Sequence, residues 1–552
     1  MKRREIIKGL TLLPFAGSAV AAPLNGFSLD SKGIHDHTDL YGTMDESLVK
    51  KGEGLLKSIG VEPFVNCKGT NTIMGGAVVR PEVKLAMESV SSLNVQMDEL
   101  AFGIGKRLAE LTGAQWGIVT AGCAAGIKMV TAACLTGGDP EKLLRIPDLT
   151  GFAKSEVIIP LSSRNVYDHA VRNAGVRVIT VGSLDELKKS INSRTAMIYM
   201  TPSEGEFSIP NVSKIAKPLN IPVFVDAAAH ILTIPDVHLA QGADVVGYSG
   251  GKGIKAPSCS GLILGRKDLL MSAHQVNSPH HGFGRDNKVG REEHIGMLAA
   301  VEAWVKLDHV KEMNTWVSWL ETIGNKVGTI NGIKTTITRP DPELIHHVTP
   351  YLHIRWDPEQ LHVTGEEVAE ELGTIAPRIA VQVGRNETGS TGITLVGYMM
   401  IPGNDRVAAK RIHEVLSRKR QPKVIPAMKN PIMNMVGLWD MEVEYFSSKV
   451  TQHLFIDSQD GNWITGMFKT DLSSRPFTGS VDGNEVKILC MYHVPGDRIE
   501  TTMQGNIEEG VLTGEMDFHE FNTAKFIAKK HKSTPTKSRL IIQRTARSRV
   551  ND

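Results

Sequence analysis

Between about residues 50 and 425, short runs of consecutive apolar residues alternate with helical stretches. The runs include Gly117-Ile-Val-Thr, Glu156-Val-Ile-Ile-Pro, Val176-Arg-Val-Ile-Thr-Val, Ala196-Met-Ile-Tyr-Met, Pro222-Val-Phe-Val-Asp and Gly261-Leu-Ile-Leu-Gly. Helical stretches lie at Pro81 to Ser91, Asp98 to Leu111, Ala124 to Leu135 and Ser183 to Ile191. A strand without polar alternation is buried on both faces, so these strands need helices above and below them. That specifies an α/β fold, a doubly wound and mostly parallel sheet.

Glu292 to Val327 reads as one long helix leading into a small α+β domain. There, Tyr351-Leu-His-Ile-Arg-Trp, Ile379-Ala-Val-Gln-Val and Gly392-Ile-Thr-Leu-Val read as strands, and Gly403 to Leu416 as a helix. Basic residues and three prolines between Arg418 and Pro431 suit a linker. Beyond it, alternating strands are separated by turns such as Asp460-Gly, Asp482-Gly-Asn and Pro495-Gly-Asp, which predicts a C-terminal all-β domain, a barrel or sandwich. Its Trp439, Tyr445, Trp463 and Phe468 read as core, and Gly437-Leu-Trp439 faintly resembles small lipocalin-like barrels. With 552 residues the chain exceeds one ordinary domain. The expected boundaries are 55–328 for the large domain, 329–420 for the small one, 421–432 for the linker and 433–552 for the β domain.

Lys2-Arg3-Arg4-Glu5-Ile6-Ile7-Lys8, the apolar run Gly9 to Val20 and the small residues Ala19-Val20-Ala21 resemble a twin-arginine signal, 1–21. A polar arm, 22–54, follows. The run is too short to span a bilayer, so the expectation is an exported, periplasmic or extracytoplasmic protein with no transmembrane segment in its mature chain. A formal net charge of +2 offers no electrostatic basis for nucleic-acid binding. Five scattered cysteines without a CxxC pair argue against a zinc site and a disulfide framework, so no metal is expected.

Two of the strands carry chemistry. Ile221-Pro-Val-Phe-Val-Asp226 ends in a carboxylate, and Asp244-Val-Val-Gly-Tyr-Ser249 runs into Gly-Gly-Lys252. An acid after one buried strand and Ser-x-x-Lys after the next point to pyridoxal 5'-phosphate (PLP), with Lys252 forming the Schiff base and Asp226 keeping the pyridine nitrogen protonated. Ala121-Gly122-Cys123-Ala124, between a strand and a small-residue helix, would offer backbone N–H groups to the cofactor phosphate, joined by the Ser249 hydroxyl. His169, in Tyr167-Asp168-His169, reads either as a ring stacked on the pyridine or as a surface histidine in the first turn of a helix. Arg285, Lys288 and Arg291 stand at the mouth of the long helix, where they would grip an anion or form ordinary salt bridges.

Asn66 to Pro81, Leu111-Thr-Gly-Ala, Val119-Thr-Ala-Gly, Asp226-Ala-Ala-Ala, Ser249-Gly-Gly-Lys252 and Gly284-Arg285-x-x-Lys288-Val-Gly together resemble the selenocysteine synthase-like family. That branch of fold-type I PLP enzymes includes seryl-tRNA selenium transferase and D-glucosaminate-6-phosphate ammonia-lyase. The resemblance covers about 55–420. It implies PLP on Lys252, Asp226 at the pyridine nitrogen, and a homodimer or higher homo-oligomer with active sites at subunit interfaces. It also implies that Arg285 and Lys288 bind phosphate or a substrate anion, in their own or the neighbouring subunit. The chain departs from the tRNA-acting members, having an export signal and no evident basic tRNA-binding domain.

The family logic favours α,β-elimination from an amino acid or amino-sugar acid, with Lys252 as general base. Arg378 would meet the substrate carboxylate or stand as a surface arginine before a strand. An aminotransferase or amino acid racemase uses the same residues. Selenium transfer, or a non-catalytic binding protein on the same fold, are further alternatives.

Overall fold

The computed structural model describes residues 52–341, 343–346, 348–384, 389–422 and 426–532. The expected signal segment, nearly all of the arm and the last twenty residues lie outside them. The chain divides into two compact units, one ending at Pro63 and one starting at Phe64. In the first, the described residues carry a short helix, Glu53–Ser58. The second holds everything described below.

Its centre is a seven-stranded sheet of β2 (Trp116–Thr120), β3 (Glu156–Pro160), β4 (Arg177–Val181), β5 (Thr195–Met200), β6 (Val223–Asp226), β7 (Val245–Ser249) and β8 (Gly261–Gly265). β1 (Phe64–Asn66) pairs elsewhere, in parallel with β11 (Arg378–Ala380). The sheet order is β2-β8-β7-β6-β5-β3-β4, and only β8 runs antiparallel to its neighbours. Both faces are buried, as the unbroken apolar runs require. In β6, Val223 and Val225 pack into one core while Phe224 packs into the other.

Because β8 reverses between β2 and β7, those two strands run the same way. Thr120, Gly261 and Ser249 therefore sit in one row across the sheet. Asp226 ends β6 beside them, paired with Gly247. Helix α1 (Met97–Thr112) precedes β2 and α2 (Gly122–Thr136) leaves it. A Cβ on Gly261 would lie 2.4 Å from the backbone of Gly122, so only glycine lets the start of α2 settle on this row.

After β8 comes α3 (Lys267–Val276). The expected helix from Glu292 to Val327 is two helices, α4 (Arg291–Lys306) and α5 (His309–Val327). The Asp308 carboxylate accepts from the Lys311 N–H and so caps a new helix where an unbroken one was expected. The small domain carries a four-stranded sheet, β12-β13-β10-β9, made of Gln382–Val383, Thr391–Val396, Tyr351–Trp356 and Lys334–Thr338. The strand expected from Ile379 to Val383 splits at Val381 into β11 and β12, which join different sheets.

The C-terminal strands β14 (Gly437–Glu444), β15 (Lys449–Asp460), β16 (Trp463–Lys469), β17 (Ser474–Asp482), β18 (Glu485–Val494), β19 (Asp497–Glu508), β20 (Val511–Asp517) and β21 (Thr523–Lys530) close into an antiparallel barrel. Trp439 and Phe468 are fully buried inside it. Trp463 instead faces out, 65% exposed, because it opens β16 beside a turn, and Tyr445 is half-buried. No helix among the described residues is long and apolar enough to cross a membrane.

Candidate active site

The Lys252 turn is built by its backbone. The Lys252 N–H donates to the Ser249 carbonyl at 3.3 Å, and Lys255 N–H donates to the Lys252 carbonyl at 3.0 Å. Gly250 N–H reaches the Ser260 carbonyl at 2.8 Å, and a Cβ at Gly250 would strike Ser260 Oγ at 2.4 Å. Backbone bonds thus hold Lys252 in a turn just after β7.

Lys252 and Asp226 line one cavity of about 220 Å³ together with Gly122, Cys123, Ala124, Ser249 and Tyr167. Ala121 stands just before it, as the N-cap of α2, and gives that helix no side-chain cap. The first-turn N–H groups of a helix have no intrahelical partner and favour an anion. The structure therefore brings the predicted helix start, Ser249, Asp226 and Lys252 together.

Asp226 is buried and held by three donors. The Tyr199 hydroxyl donates at 2.7 Å, the Ala228 N–H at 3.1 Å and the Cys123 thiol at 3.6 Å. Burial, and then the charge of Asp226, push the Tyr199 phenol upward, so it stays a donor. Burial and Asp226 also raise the Cys123 thiol well above its ordinary value, making it a neutral packing group. Tyr199 escaped the sequence reading because it stands in a run that otherwise reads as apolar strand. Its position on β5, next to β6, is the signal that could have found it.

His169 does not reach this cavity. It is 64% exposed and faces Asp497 of the barrel, with Nε2 4.0 Å from the carboxylate. Asp168, one residue earlier, is the buried one, paired with Arg164. The helix start turns inward there, and the next side chain points away. Tyr167 stands on the cavity wall instead, its phenol raised first by burial and then by Asp226. The barrel touches this segment: the Arg164 guanidinium donates to the Pro495 carbonyl at 3.1 Å.

Two larger cavities also meet at Lys252. One, of about 780 Å³, is lined by Asn165, Thr201, Ser203, Asp226, His230 and His346. The His230 ring lies 5.0 Å from that of His346 and 5.1 Å from that of the buried His238. Burial, then the charge of Lys252, hold His346 below the ordinary histidine range. The other cavity, of about 610 Å³, carries Lys255, Glu312, Trp316 and Tyr398. Its Lys255 is already paired, 3.4 Å from Glu312, which also meets Arg80 at 3.0 Å.

Arg285 and Lys288 are exposed and line none of these three cavities. Arg378 lines none of them either. Its Nε donates to the Gly373 carbonyl at 2.6 Å, and its guanidinium lies 5.9 Å from the centre of the Phe64 ring.

Residues 86–283 match the aminotransferase class-V family. The chain is 30% identical over 304 residues to a D-glucosaminate-6-phosphate ammonia lyase of Salmonella typhimurium, across 52% of this chain and 79% of that protein. The chain belongs to the class-V aminotransferase family of PLP-dependent enzymes. Another relative within reach of this class-V chain is a 5'-C-glycyluridine monooxygenase-decarboxylase of Streptomyces sp., 26% identical over 375 residues, 65% of this chain and 91% of that one. A solved D-glucosaminate-6-phosphate ammonia-lyase structure superposes with a TM-score of 0.59 at 26% identity, covering 67% of this chain and all of the other. The residues of this class-V site fit PLP. An uncapped helix start suits its phosphate, a buried carboxylate with three donors suits its ring nitrogen, and a lysine shares the same wall.

Proposed function

We propose that this enzyme is a PLP-dependent lyase that removes a β-substituent and ammonia from an amino acid or amino-sugar acid. The observation that carries the proposal is the single cavity shared by Lys252, Asp226 and the start of α2. PLP, when bound, supplies an electron sink that acidifies the C–H beside the substrate amino group.

Lys252 anchors the cofactor and moves the proton at the substrate Cα. Asp226 accepts from the pyridine N–H, and Tyr199 with Ala228 fix its orientation. The N–H groups of Gly122, Cys123 and Ala124 and the Ser249 hydroxyl bind the phosphate. Tyr167, on the wall of that cavity, would meet the cofactor where His169 was expected. The relative that is an ammonia lyase supports elimination. So does the larger cavity, whose Asn165, Thr201, Ser203 and His230 offer the hydrogen-bonding wall a hydroxylated substrate needs.

Arg285 and Lys288 are exposed outside their own site, which supports a role as anion ligands for a second copy in a homo-oligomer. The Lys2-Arg3-Arg4 segment supports export, and N-terminal sequencing of the periplasmic fraction tests it.

A substrate screen of the PLP-loaded protein, reading ammonia, keto acid and enantiomer separately, tests the reaction. Ammonia and keto acid without an amino acceptor are expected. Turnover only with an acceptor would make it an aminotransferase, and inversion alone a racemase. Absence of a visible band on adding PLP would overturn the enzymatic reading altogether.

A further inference from the structure

Away from the Lys252 cavities, three side chains from separate segments converge. Asp98 lies in the first turn of α1, His274 in the last turn of α3, and His280 in the segment after it. His274 Nε2 is 3.0 Å from Asp98 Oδ1, and His280 Nε2 is 3.2 Å from the same oxygen. All three ligand atoms lie within 4.8 Å of one another.

The other polar atoms of two of these groups are occupied. The Gln96 amide donates to Asp98 Oδ2 at 3.1 Å. His280 Nδ1 lies 3.3 Å from the His274 carbonyl, which can only accept, so Nδ1 carries the proton. With Nδ1 so engaged, Nε2 is the ring nitrogen that faces Asp98 Oδ1. Outer bonds to carboxylate and carbonyl are what fix metal-binding histidines and acids in register. Ligand atoms each about 2.1 Å from a divalent ion stand about 3.0–3.4 Å apart when they are adjacent in its shell, which matches both distances measured from Asp98 Oδ1.

We propose that Asp98, His274 and His280 form a binding site for a divalent first-row transition cation such as Zn2+. Two imidazoles and one carboxylate suit such ions and leave positions for water. Asp98 and His280 are 30% and 39% exposed, which gives the ion a way in, while His274 is 10% exposed and anchors the site. The ion would tie the first turn of α1 to the end of α3.

Calorimetric titration of tag-free, chelator-treated full chain with Zn2+ tests this, alongside thermal melts. One equivalent per chain is expected, with a melting temperature that rises as Zn2+ is added. Gln96→Ala should weaken binding about 10-fold through the outer shell, and Asp98→Ala or His280→Ala more. His531→Ala alters a different histidine-aspartate cluster, around Asp440 in the barrel, and should leave binding intact. No saturable binding in the unaltered protein, or binding that survives Asp98→Ala with His280→Ala, overturns the proposal. If the double variant fails to fold, Gln96→Ala still decides, because binding unchanged in that variant also counts against the site.

Discussion

Asp226 and Lys252 were legible at the residue scale because each follows a strand whose apolar run marks its end. Tyr199 was not, because its role depends on β5 lying next to β6. Lys252→Ala is expected to abolish turnover and the visible band of bound PLP while leaving circular dichroism and melting unchanged, since the backbone of its turn makes the structural bonds. Turnover in that variant would remove Lys252 from the chemistry. Tyr199→Phe takes one of three donors from the buried Asp226. It should cost about 1–3 kcal/mol of stability and weaken PLP binding, read by urea unfolding and by cofactor titration. If both readings stay at their original values, Tyr199 is packing alone. His169 shows the converse: of the two readings its sequence left open, the structure places it at the surface, because the inward position of that turn belongs to Asp168.

Among the elements, helix starts and strand ends followed local signals closely, as with Pro81–Val90 and Asn404–Leu416. The break between α4 and α5 was missed because the apolar pattern carries on through Leu307 while Asp308 caps a second helix. Four histidines on separate elements make a pH prediction. Burial holds His238, His274, His294 and His346 below the ordinary histidine value of about 6.5. As pH falls through that value, the unfolded chain takes up protons that the folded chain does not. Stability from this source is therefore full above about pH 6.5 and declines below it. Both ring nitrogens of His238 are buried without a hydrogen-bond partner. His238→Phe should flatten the acid-side slope in urea unfolding measured across pH, and an unaltered slope would assign the acid sensitivity to other groups.

Over the whole molecule, the barrel meets the enzyme core where Tyr167 is carried. Gly496, at the turn between β18 and β19, has a φ of 86°, and a Cβ there would lie 2.8 Å from the Asn165 backbone nitrogen. Gly496→Val should push this turn off the 164–168 segment, cost roughly 1–3 kcal/mol of stability, and loosen PLP binding. Hydrogen exchange at 164–168 and cofactor titration read the two effects, and cofactor affinity equal to that of the parent would confine the barrel to packing.

The sequence by itself determined the α/β class, the all-β C-terminal part and the Asp226–Lys252 pairing, because burial on both faces of a strand and the residues at its end are written in local order. The tertiary structure decided what depends on distant segments meeting. It turned His169 outward and set Tyr167 on the cavity wall, supplied Tyr199 to Asp226, set the barrel turn on Arg164, and gathered Asp98, His274 and His280. Each of those contacts joins residues whose separation along the chain carries no periodic signal, so only packing could bring them together.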